Sequence, residues 1–170
     1  MVPEDKAPRP IVMRGQGGSD MLKGISPLLS AEILHALQSM GHGDMLVIAD
    51  ANFPADSVAR QTEVGYPLRI GDVSAAQAVE AILSLMPLDS FIDDAAARME
   101  VVGAPDEVPL VQQEVQAVID RAEGKSWPLV PVERFAFYDR AKAAYCVIQT
   151  GERRFYGCFT LTKGVIPPEA

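Results

Sequence analysis

The chain predicts a single α/β domain: a three-layer α/β/α arrangement with a mixed, mainly parallel sheet. Three observations lead there. Helical and strand periodicities alternate from Ser30 to Ala144, and the chain then closes with two consecutive strands. The run Met45–Ala49 is apolar without interruption, as expected of a strand covered on both faces. A length of 170 residues, 48% of them hydrophobic, supplies one self-sufficient core.

Residues 1–20 carry Pro3, Pro8 and Pro10, then Gly15, Gly17 and Gly18, with no apolar periodicity. They are expected to be a disordered N-terminal extension, leaving residues 21–170 as the folded domain. Ser30 can cap a helix over Ala31–Met40, with Ile33, Leu34, Leu37 and Met40 on one face and Gly41 as its left-handed stop. The strand Met45–Ala49 follows. Asp50 can then cap a helix beyond Phe53 through an Asx turn. Asp72 or Ser74 begins a helix whose buried stripe is Ala75, Val79, Ile82, Leu83 and Met86, ended by Pro87. A strand is expected around Arg98–Val102. Pro109 opens a helix with Leu110, Val111, Val115, Val118 and Ile119 inward, closing at Gly124. A short strand over Leu129–Glu133 and a short helix through Phe137–Ala144 complete the alternation. The closing strands, Tyr145–Thr150 and Phe155–Thr162, are expected to form a hairpin around Gly151-Glu152-Arg153.

The net charge of −8 with no basic run argues against nucleic acid as a partner. No stretch approaches the apolar length needed to cross a bilayer, so no membrane partner is expected. Glu4, Asp5 and three prolines stand where a secretory signal needs an apolar run, which makes the cytoplasm the expected compartment. Cys146 and Cys158 flank the expected hairpin as cross-strand neighbours or, in a reducing compartment, as free thiols.

The chemistry-bearing residues are few. His42 sits between Gly41 and Gly43, just past a helix. Its imidazole either answers the helix dipole or, with a near-neutral pKa, donates and accepts protons for catalysis. His35 belongs to the polar side of its helix. Asp50 ends the first strand, where an α/β fold opens onto a ligand crevice, and is expected on the same rim as His42. Its alternative is the Asx cap. Asp89, in Pro87-Leu88-Asp89, carries the same ambiguity. Arg134 and Tyr138 share a helical face if their helix begins early; otherwise Arg134 pairs with Glu133 or Asp139. In Tyr156-Gly157-Cys158 the glycine permits close approach of a ligand or a backbone, or marks a β-bulge. Gly-x-Gly-x-x-Gly, a phosphate loop, a nucleophile elbow and Cys-x-x-Cys are all missing. His42, Asp44 and Asp50 lack a recognisable ligand spacing, so no metal is expected. What remains suits acid/base work on a hydroxylated ligand.

Five separated motifs, in order, resemble the L-fucose mutarotase and D-ribose pyranase family. They are Met21-Leu22-Lys23-Gly24-Ile25-Ser26-Pro27, Met40-Gly41-His42-Gly43-Asp44, Ala49-Asp50-Ala51-Asn52-Phe53-Pro54, Arg134-Phe135-Ala136-Phe137-Tyr138, and Thr150-Gly151-Glu152 through Tyr156-Gly157 to Lys163-Gly164-Val165. Arg-Phe-x-Phe-Tyr is closer to the fucose branch. The resemblance implies a cofactor-free isomerase that interconverts the α and β anomers of a free monosaccharide, L-fucose first. By position His42 matches the proton donor, Tyr138 the second acid/base group, and Asp50 the sugar-binding carboxylate. Asp89, Arg134 and Tyr156 match residues near the sugar. Ring-shaped homo-oligomers, often decamers, with sites near subunit contacts are also implied. One departure is Cys158, where the family usually has asparagine; a thiol is a weak hydrogen-bond partner for a sugar hydroxyl. That substitution bears on which sugar is preferred more than on the reaction. The competing readings are a ribose-type pyranase, a sugar-binding module with weakened turnover, and a purely structural ring subunit.

Overall fold

The structure, a computed structural model, describes residues 22–169. The extension expected over residues 1–20 lies outside them. Six strands form one sheet in the order β2-β5-β1-β6-β3-β4. These are β1 (Met45–Ala49), β2 (Leu68–Ile70), β3 (Ala96–Met99), β4 (Leu129–Val132), β5 (Cys146–Thr150) and β6 (Phe159–Thr162). Pairings β1–β5, β2–β5 and β3–β4 are parallel, and β6 runs antiparallel between β1 and β3. The mixed, mainly parallel sheet expected from the chain is therefore present.

Alternation along β1 builds two cores. Leu46 and Ile48 pack with residues of α1 (Ala31–Ser39), α3 (Ala75–Leu83) and α4 (Leu110–Glu123). Val47 and Ala49 face α2 (Ala55–Ala59) and α5 (Arg134–Lys142). A strand that contributes to both layers must be apolar at every position, and β1 is. Ser74 starts α3 with a capping box: its hydroxyl accepts the Gln77 N–H, and the Gln77 side chain returns to the Ser74 N–H. Pro131 lacks an amide hydrogen and sits on the edge strand β4, where one side of the ladder has no partner.

Several expected boundaries move, each for a physical reason. Gly41 is not the left-handed stop of α1; the positive φ belongs to Gly43, at 85°. Met40 leaves the helix extended, and the Lys163 ammonium caps the carbonyls of Leu37 and Met40. Leu110 is exposed rather than inward, and Gln112, two positions further on, is fully buried. The third strand lies at Ala96–Met99, two residues earlier than expected, because its alanines carry no strand propensity of their own. The edge strand β2, three residues long, was not anticipated. Helix α5 begins at Arg134, since the Glu133 carboxylate accepts the N–H groups of Phe135 and Ala136. Glutamate is an uncommon N-cap, so the usual signal was absent.

The largest correction is the closing hairpin. β5 and β6 do not pair; β1 lies between them. Residues 151–158 form a strap that crosses the carboxyl end of β1, with Tyr156 left-handed at φ 62°. Cys146 and Cys158 are free, and they are buried in the two different cores.

Candidate functional site

The sequence-predicted residues fall into two groups at opposite ends of β1. His42 precedes Met45 and Asp50 follows Ala49, so the five-residue strand separates them by about 16 Å. The expectation of one shared rim is thus wrong within a protomer: strand length sends the two loops to opposite edges of the sheet.

At the amino end, His42 Nε2 lies 3.1 Å from Asp89 Oδ2. The His42 side chain is 47% exposed and that of Asp89 only 4%. Asp89 also accepts the Phe91 N–H at 3.0 Å, and that bond, aided by His42, holds its carboxyl below the usual range despite burial. An ionised carboxylate can only accept, so Nε2 carries the hydrogen and Nδ1 is left for exchange with a ligand. The residue touching the imidazole is therefore Asp89 rather than Asp50. Phe91 sets its ring edge-on to His42 at 5.6 Å. Three consecutive residues fix both loops. The Asp89 N–H donates to the Thr162 carbonyl, the Gly43 N–H to that of Lys163, and the Gly164 N–H to that of Pro87.

At the carboxyl end, Asp50, Arg134, Tyr138, Tyr156 and Cys158 line one cleft of about 360 Å³, together with Asn52, Phe53, Met99 and Phe155. Five of the seven predicted site residues meet here. The early start of α5 puts Arg134 and Tyr138 one turn apart, with the guanidinium carbon 5.8 Å from the phenol ring. Tyr138 stacks on Phe53 at 5.4 Å, which fixes the ring against the cleft wall. Asp139 pairs with Lys142 and Arg140 with Asp94, so Arg134 keeps its charge toward the cleft side of the helix. Phe137 is wholly core, whereas Phe135 is exposed beside Arg134.

Asp50 serves the backbone as well as the cleft. Oδ1 accepts the N–H groups of Asn52 and Phe53, the anticipated Asx turn, and Oδ2 accepts that of Gly157 at 3.2 Å. The reason for glycine at 157 follows: a Cβ there would lie 2.8 Å from Glu152 Cγ and 3.3 Å from Asp50 Cβ. Burial, then the neighbouring Asp50 charge, pushes the Cys158 thiol well up, so it remains protonated.

Sequence reasoning missed what holds this end together. Glu152 accepts the Ala75 N–H and, with Glu114, takes Arg154 in charged hydrogen bonds of 2.7 to 3.0 Å. Arg154 brings the Glu152 carboxyl down to about 2. Gln112 was missed too. Its signal was available: a polar side chain at 112 on the same face as Val115 and Ile119. Among the described residues no cluster of three or more His, Cys, Asp or Glu side chains could hold a metal, and no helix is long and apolar enough to cross a membrane.

Comparison with known proteins agrees with the motifs. A model of the RbsD / FucU transport protein family matches residues 23–166. Fucose mutarotase of Danio rerio is 44% identical over 153 residues, covering 88% of this chain and 97% of that protein. The crystal structure of protein Atu2016 superposes with a TM-score of 0.86 at 64% identity, covering 89% of this chain and 100% of that one. The fucose mutarotase of Streptococcus pneumoniae, crystallised with L-fucose, gives 0.77 at 35% identity, with 86% and 100% covered. A match spanning nearly all of the described residues, on a fold with the same layers, decides the matter: the chain belongs to the RbsD / FucU family.

Proposed function

We infer that this protein is a monosaccharide mutarotase that interconverts the α and β anomers of L-fucose without a cofactor. The observation that carries this reading is the convergence of Asp50, Arg134, Tyr138, Tyr156 and Cys158 on one cleft, in a chain 44% identical to a fucose mutarotase. A volume of about 360 Å³ falls in the range of small-molecule sites.

Anomer exchange needs a proton delivered to the ring oxygen and another withdrawn from the anomeric hydroxyl. The C1–O5 bond then breaks, the open-chain aldehyde turns about C1–C2, and closure on the other face returns both protons. His42, oriented by Asp89, supplies one proton position, and the Tyr138 phenol the other. Asp50, Arg134, Tyr156 and Cys158 hold the sugar, and Phe135 and Phe155 offer apolar surface to a deoxy carbon.

His42 and Tyr138 occupy opposite edges of one protomer, so the working site combines the His42 edge of one copy with the cleft of another. Apolar surface supports this pairing at both places: Phe91 is 72% exposed beside His42, and Phe135 and Phe155 are 71% and 74% exposed at the cleft. Two different patches meeting make a head-to-tail contact, which builds a ring when the rotation between successive copies closes. A homo-oligomeric ring in the cytoplasm is the corresponding assembly, a decamer being the form the family resemblance implies.

Saturation-transfer NMR on the anomeric protons of L-fucose tests the reading. The protein should speed exchange, and His42→Ala should lower the catalysed rate by about 10²-fold or more. An unchanged rate in that variant removes His42 from the chemistry. A panel including D-ribose resolves furanose signals and separates this activity from pyranose–furanose exchange. Saturable binding without faster exchange of any sugar would leave a binding module, the reading that Cys158 favours.

A further inference from the structure

The geometry points to Gln112 as a positioning residue that holds the sugar-facing strap in shape from beneath, a role that rests on the mutarotase reading of the cleft. Tyr156 is one of two non-glycine residues with positive φ among those described, a strained conformation that persists only where its surroundings enforce it. The enforcing contact comes from α4. Gln112 Nε2 donates to the Tyr156 carbonyl at 3.0 Å and to the Met99 carbonyl at 2.7 Å. Its Oε1 accepts from Arg98 Nη1 at 3.0 Å, which fixes the orientation of the amide. Arg98 is buried as well, and it donates to the carbonyls of Pro105 and Glu107.

Both donors and the acceptor of a fully buried amide are thus committed, and one of the two carbonyls it holds belongs to a cleft residue. A side chain serving the core alone would have no need to reach residue 156. The same helix grips the strap a second time, through Glu114 and Arg154, but that pair is partly exposed and two residues from Tyr156. The phenol end of Tyr156 is held separately, its Oη accepting the Val102 N–H. Gln112 therefore sets the backbone from which Tyr156, Gly157 and Cys158 present themselves. It touches neither His42 nor Tyr138, so its loss should weaken sugar binding and spare proton transfer.

Gln112→Glu is the sharp variant. It keeps the volume and the acceptor for Arg98, where a new ion pair supports folding, but turns a carboxylate oxygen toward the Tyr156 and Met99 carbonyls. Gln112→Met keeps the shape without the charge. Anomer-exchange kinetics on L-fucose should show KM raised about tenfold with kcat within about twofold of the parent. An unchanged KM in either variant, whatever happens to kcat, overturns the proposal, because a merely structural role lowers the active fraction and leaves KM alone. If neither variant folds, the unmodified protein decides. Saturating L-fucose should shift the protected Gln112 side-chain amide resonances, and an amide indifferent to bound sugar ends the argument. A protein that neither binds nor turns over L-fucose would refute the mutarotase reading itself. Normal turnover with an unmoved KM refutes the role of Gln112 alone.

Discussion

The two ends of β1 are built on different principles. At the amino end a half-exposed imidazole leans on one buried carboxylate, and Thr162, Lys163 and Gly164 tie the two loops together. At the carboxyl end the carboxylates and the strap are held in place: Asp50 by three backbone N–H groups, Glu152 and Glu114 by Arg154, and the Tyr156 carbonyl by Gln112. A group that must exchange a proton needs an open face and a free nitrogen. Walls that recognise a rigid sugar need to be immobile before it arrives. The fold separates these demands by placing them on opposite edges of one sheet. Neither edge carries both His42 and Tyr138, so under the proposed mechanism, in which both move protons, the site is shared between copies.

The largest effect should come from mixing. His42→Ala and Tyr138→Phe should each lose about 10²-fold in catalysed exchange. Co-refolding the two inactive proteins in equal amounts should restore about a quarter of the parental sites, since each shared site draws its two halves independently. A site contained in one protomer predicts no recovery at all. NMR exchange rates on the mixture, against each variant alone, decide between these outcomes.

How much of this was legible beforehand differs between the two ends in the same way. At the carboxyl end, strand β1 announces itself, and both uses read for the aspartate at its end, Asx turn and cleft wall, are present. The Arg134–Tyr138 spacing also identified a shared face once the helix start was known. The edge on which His42 lies was readable too, by counting residues through β1, and the expectation of a shared rim overlooked it. Interior support was legible only as an anomaly, Gln112 within an apolar stripe. The misplaced hairpin has a physical reason as well. Local turn chemistry at Gly151-Glu152-Arg153 describes a reversal equally well whether the returning strand pairs with β5 or passes β1 to its far side. Only the burial demands of the whole sheet choose between them.

Glycine substitutions sharpen the contrast in rigidity. A Cβ at Gly164 would stand 2.4 Å from the Leu88 carbonyl oxygen and 2.8 Å from its carbon. Backbone cannot give way cheaply, so Gly164→Ala should destabilise by about 1–3 kcal/mol and loosen the His42–Asp89 contact with it. At Gly157 the nearest atom is the Glu152 side chain, followed by Asp50 Cβ at 3.3 Å, both side-chain atoms. Gly157→Ala should therefore cost less stability while disturbing sugar affinity more. Thermal melts and KM values for the pair of variants check this; the reverse ranking would mean that the two ends are equally stiff.

Acid should test the carboxyl end next. Glu152 titrates at about 2 in the folded protein against an ordinary 4.5, because Arg154 favours its charged form. A depressed folded value means the contribution is complete above about pH 4.5 and fades as pH falls toward 2. Melting temperature should drop across that window, and Glu152→Gln should start lower and show a shallower slope. Identical slopes in the two proteins would show that the Arg154 bracket contributes little to folding.

The smallest effect should be at Cys158, and it concerns recognition alone. The thiol is buried in the cleft wall, protonated, and its nearest charge is the Asp50 carboxylate. It is a weak donor and a weak acceptor, so it contributes shape and little directional bonding to a sugar hydroxyl. Cys158→Asn introduces an amide that can do both, and its donor end has a carboxylate to meet at Asp50. Affinity for sugars whose hydroxyls reach that wall should rise about threefold to tenfold over those whose hydroxyls do not, with kcat nearly unchanged for all. The measurement is the ratio of kcat/KM across a panel of aldoses rather than any single rate. A uniform change across the panel would mean that residue 158 alters the cleft only through packing, and that sugar preference is set elsewhere on the wall.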